Sequence, residues 1–108
     1  MGATINYPVP AGSGDAAYRV AFEETVLPAL DAFRPQLLLL SAGFDAYIDD
    51  PLAHAAVTDA GFRWMGMALR TISETHCDGR LLSFLEGGYN TAALGRLVVD
   101  HLRVLQGE

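Results

Sequence analysis

The chain has a single cysteine, Cys77, in 108 residues. It cannot close an internal disulfide, and no zinc-ribbon spacing exists. A free thiol near a helix end is the expectation. Basic residues are scarce: seven Lys and Arg stand against thirteen Asp and Glu, a net charge of −6. That balance argues against a nucleic-acid surface or an anionic membrane surface as partner. No apolar run approaches the roughly 20 residues of a membrane span. The first residues, MGATINYPVPAG, show no basic segment ahead of an apolar core, so no secretory signal is expected. Asn6 stands where myristoylation requires Ser or Thr. A soluble, cytoplasmic, reduced protein is the expectation. The chain also lacks GxGxxG and a P-loop lysine, which argues against nucleotide binding. It has no Gly-x-Ser-x-Gly elbow. Its three histidines, His54, His76 and His101, share no HxH or HxxxH spacing.

Hydrophobic residues make up 51% of the chain, enough for one globular domain over 1–108. Residues 4–9 read as an edge or loop segment, because Pro8 is unsuited to a central strand. Asp15 to Phe33 reads as a helix with Asp15 as N-cap. Tyr18, Ala21, Phe22, Val26, Ala29, Leu30 and Phe33 recur at helical spacing, and Pro28 should kink it. Arg34-Pro35 stops it. Leu37 to Ser41 is too short for an independent helix and too apolar for a half-exposed strand, which predicts a strand buried on both faces. A loop follows over 45–57. Thr58 caps a helix over 59–75, with Phe62, Met65, Leu69 and Ile72 inward and Gly79 as a left-handed stop. Arg80 to Leu85 predicts a second buried strand. A last helix over 91–106 should bury Leu94, Leu97, Val98, Leu102 and Leu105.

Helix, strand, helix, strand, helix implies parallel strands and an α/β layered fold. Ligands in such sheets bind at the carboxyl ends of the strands. Both unusual segments, GFDAYIDDPL and EGGYN, leave such ends. Asp45 could bind a metal, act as a base or cap a turn. Asp50-Pro51 is a turn starter, and Asp49 suits solvent. Tyr89 could donate a hydrogen bond to an oxyanion or simply pack the helix start. His54 lies in the same loop as Asp45 and is the histidine best placed to reach it.

SAGFDAYIDDPL followed by LEGGYN resembles the histone deacetylase and acetylpolyamine amidohydrolase superfamily, especially its bacterial class II-like branch. ATINYPVPAGSGD and FRPQLLLLSAGFDA extend the resemblance over nearly the whole chain. It implies part of an arginase/deacetylase-like three-layer fold: a short parallel sheet flanked by helices, corresponding to the C-terminal portion of the domain. It also implies zinc-dependent hydrolysis of an acetylated amine. On that resemblance Asp45 matches a zinc ligand, and Tyr89 the tyrosine that hydrogen-bonds the amide carbonyl and its tetrahedral intermediate. Leu52 matches a wall of the acyl-lysine channel, and Gly87 and Gly88 the glycines that pack the tyrosine loop against it. Tyr47 departs from the pattern, standing where a smaller or imidazole side chain is expected.

The family's other zinc ligands and its His-His pair have no counterpart in these residues. The resemblance therefore implies a deacetylase fragment, inactive alone. The alternative is a non-catalytic α/β module that keeps the fold for self-association. Either way the expected partner is a homo-oligomer. An acetylated amine is the expected substrate once the missing segments complete the centre.

Overall fold

The computed structural model describes residues 2–108. Its helices form where the apolar periodicity predicts. The first helical stretch runs without a break as α1 (Asp15–Ala21), a π-helical turn (Phe22–Val26) and α2 (Leu27–Phe33). Pro28 explains the π turn. It cannot donate to the carbonyl four residues back, and its ring crowds that carbonyl. The wider turn relieves both, with the Leu27 N–H donating to Phe22 O five residues back. The predicted kink is therefore a local widening. Arg34, at φ 55°, ends α2 in the left-handed region.

Strand β1 (Leu38–Ala42) and strand β2 (Leu81–Leu85) are parallel neighbours, joined by α3 (Asp59–His76). Helix α4 (Thr91–Leu105) follows β2. Thr58 caps α3 as its sequence position suggests, accepting from the Gly61 N–H at 3.3 Å. Gly79, at φ +78°, closes α3, its N–H donating to Ser73 O. Asp15 corrects the sequence reading: it is the first residue of α1, and Gly14 is the N-cap. Its carboxylate instead receives the Thr58 N–H at 2.8 Å and the Thr58 hydroxyl at 2.5 Å, tying the starts of α1 and α3 together.

The core lies on one side of the sheet, in two joined clusters. Near the carboxyl ends Ala42, Phe44 and Tyr47 pack against Ala93 and Leu97. Near the amino ends Leu38 packs against Leu69, Ile72 and Cys77, with Phe22 and Leu27 alongside. The partial three-layer architecture is thus present as its sheet and one helical layer. The expected burial of β1 on both faces does not hold, for Leu39 is exposed while Leu38 and Ala42 are buried. Leu102 and Phe33 also lie on the surface despite helical spacing that suits burial. In each case the side chain has the right period, but nothing among the described residues covers that face.

Candidate active-site segments at the strand ends

The two segments that leave the sheet are stitched together. Past β1 and β2 the ladder continues, with Glu86 N–H donating to Ala42 O at 3.0 Å and Phe44 N–H to Gly87 O at 2.8 Å. That pairing carries Asp45 to the Gly87 backbone. A Cβ at Gly87 would lie 2.9 Å from the Asp45 carboxylate, and one at Gly43 would lie 2.9 Å from its Oδ1. Both glycines are required for the carboxylate to nest there, because real Cβ atoms do not approach so closely. Gly88 serves a different need: its φ of +144° lies in the region where an L side chain is strained.

Asp50 is the second clasp. Its carboxylate is buried. One oxygen accepts the N–H groups of Leu52 at 2.9 Å and Ala53 at 3.1 Å, which is the turn expected of Asp-Pro. The other accepts the Tyr89 N–H at 2.8 Å, thirty-nine residues away. Burial pushes the carboxyl group up. The hydrogen bonds from the backbones of Tyr89, Leu52, Ala53 and Asn90 outweigh it and hold the group below the usual carboxylate range. Asn90 adds a third tie, donating to Asp49 O at 3.0 Å while its Oδ1 caps α4 through the Ala93 N–H. Sequence reasoning found the turn at Asp50 but not its reach to Tyr89, since no local pattern encodes a contact across that separation.

Asp45 is half-buried, and the Tyr89 side chain is 50% and Leu52 67% exposed. The phenol and Leu52 are therefore open to whatever meets this end of the sheet. Tyr18, read from sequence as a packing residue of α1, also belongs to this neighbourhood. Its phenol is raised above the ordinary value by burial and then by the negative charge of Asp45. Tyr47 turns inward. It is buried against Phe44, and its hydroxyl accepts from Arg96 Nη2 at 3.0 Å. Arg96 is itself held by a two-pronged ion pair with Asp59 at 2.7 and 3.2 Å, and the Asp59 carboxyl is lowered mainly by that pairing. The unusual tyrosine is a core strut.

Two histidines have structural partners: His76 pairs with Asp31 at 2.7 Å, and His101 Nε2 with the Ser83 hydroxyl at 2.9 Å. Burial lowers His101, with Asp100 opposing. His54 is exposed. Among the described residues no group of three His, Cys, Asp or Glu side chains converges. A catalytic zinc takes about three protein ligands and keeps one position open. These residues do not by themselves fit a zinc centre.

Residues 1–105 match the model of the histone deacetylase domain. The chain belongs to the histone deacetylase family. It is 43% identical to Histone deacetylase 14, chloroplastic, of Arabidopsis thaliana, over 99% of the chain and 25% of that protein. It is 41% identical to the Histone deacetylase-like amidohydrolase of Pseudomonas aeruginosa, over 94% of the chain and 27% of that protein. Among solved structures, the HDA15 HD domain superposes with a TM-score of 0.83 at 40% identity, covering 92% of this chain and 27% of that one. An acetylpolyamine aminohydrolase from Burkholderia pseudomallei superposes with a TM-score of 0.80 at 32% identity, covering 95% and 28%. The deacetylase family chain thus spans about a quarter of the length of these relatives. None of its helices, among the described residues, is long and apolar enough to cross a membrane.

Proposed function

We propose that this chain contributes one part of a zinc-dependent deacetylase centre acting on acetyl-lysine or acetylpolyamine-type substrates. The observation that carries the reading is the stitched pair of strand ends, with the Asp45 carboxylate against Gly87 and the Tyr89 backbone held by Asp50. In this reading Asp45 is one metal ligand, and the Tyr89 phenol is a donor to the substrate's developing oxyanion. Leu52, Gly87 and Gly88 shape the approach of the acylated chain. The remaining ligands and the general base come from residues that these 108 do not include, so the chain alone is inactive. The names of the relatives, which include deacetylases and an acetylpolyamine aminohydrolase, support the substrate class. A cytoplasmic setting belongs to the same reading, and imaging of a tagged chain measures it.

A chimera provides the test. The matching quarter of the Pseudomonas relative is replaced by this chain, and an acetyl-lysine reporter is followed. The expected result is retained deacetylation, abolished in Asp45→Ala and lowered about 100- to 1,000-fold in kcat in Tyr89→Phe. A folded chimera without activity, or one indifferent to both substitutions, overturns the assignment. Deacetylation by the 108 residues alone overturns the view that they are incomplete.

The second reading is a self-associating module without catalysis, which the exposed Leu39, Leu82 and Phe84 on the outer sheet face would serve. Tight stoichiometric zinc binding lost in Asp45→Ala would count against it.

A further inference from the structure

Tyr89 and Leu52 lie on different segments, yet one carboxylate holds the backbones of both. Asp50 Oδ1 accepts the Leu52 and Ala53 N–H groups at 2.9 and 3.1 Å, and Oδ2 accepts the Tyr89 N–H at 2.8 Å. Asp50 is fixed in turn, its own N–H donating to Tyr47 O at 3.0 Å. Tyr47 is buried in the core and tied to Arg96. The tether therefore starts in the core and ends at both segments.

Side-chain packing does little to place Tyr89 or Leu52, because both are half exposed or more. Gly87 and Gly88 precede Tyr89 and restrain its backbone less than other residues would. The neighbouring bonds act on other residues: the Phe44 N–H holds Gly87 O, and the Asn90 side chain holds Asp49 O.

We propose that Asp50 is a positioning residue, which sets the Tyr89 phenol and the Leu52 wall relative to one another by accepting from both backbones at once. The inference rests on the deacetylase reading, in which the phenol meets the oxyanion and Leu52 meets the acylated chain. One rigid carboxylate then couples where the substrate lies to where its donor stands. Misplacing such a group by about 1 Å costs about 100-fold in rate. The carboxylate itself is needed, because three N–H donors converge on its two oxygens. An amide has one acceptor oxygen and turns N–H donors toward whatever faces its nitrogen. Asp50→Asn thus keeps the Leu52 turn or the Tyr89 bond, but not both.

A double-mutant cycle in the Pseudomonas chimera tests this. Asp50→Asn is expected to lower kcat about 10- to 100-fold and to raise KM. In the Tyr89→Phe background the phenol is gone, so the same substitution should change kcat by less than about 3-fold while KM still rises. In the Leu52→Ala background the rise in KM should shrink. Loss of folded protein does not imitate this split, since it lowers apparent kcat equally in every background and leaves KM alone. An active chimera in which the Asp50→Asn and Tyr89→Phe losses in kcat multiply overturns this inference and leaves the deacetylase reading standing. A folded, inactive wild-type chimera overturns both. Should the Asp50→Asn chimera fail to fold, the wild-type chain of 108 residues decides. Its Leu52, Ala53 and Tyr89 amide resonances should titrate in acid with one shared midpoint, over a pH range in which far-UV circular dichroism is constant. Separate midpoints, or a Tyr89 amide that does not titrate there, overturn the inference.

Discussion

At the scale of single residues, Asp50 joins the two motif segments. Its folded-state value is held below the ordinary carboxylate value, so it contributes stability wherever the unfolded carboxylate is ionised, above about pH 4. That contribution is lost as pH falls through the lower folded value. Asp50→Asn should therefore lower the urea midpoint most at neutral pH, and the gap to wild type should close in strong acid. It should also shift the Tyr89 amide resonance, because an amide side chain cannot serve all three donors with ionised oxygens. An unmoved Tyr89 amide would contradict the clasp. The residue chemistry of this end of the sheet was legible only in part. Asp45, Gly87, Gly88 and Tyr89 stood out by type and position. The partners of Asp50, Asp15 and Tyr47 did not, because each meets a group about forty or more residues away.

At the scale of elements, periodicity and punctuation mapped the chain well. The three long helical stretches and both strands lie within a residue or so of their predicted bounds. What periodicity cannot say is whether a covering surface exists. Leu39, Phe33 and Leu102 show the pattern of buried residues and remain on the surface. Cys77 shows the converse. A free thiol near a helix end is what the sequence predicts. The structure buries it fully at the junction of α3 and β1, where the thiol donates to Pro35 O at 3.1 Å. A thiol reagent should leave Cys77 unmodified in the native chain and react in denaturant, in step with loss of helical signal. Rapid native modification would mean that this junction opens independently of the rest.

For the whole molecule, the exposed sheet face of Leu39, Leu82 and Phe84 ties stability to the question of what covers it. If the face is buried only when two copies meet, the native state is favoured by mass action as well as by its own core. The melting temperature should then climb with protein concentration, and dilution should lower it; a midpoint constant over two decades of concentration would exclude the coupling. Expression level would become a structural variable, because a scarce chain would spend more of its time unfolded and open to proteases than an abundant one.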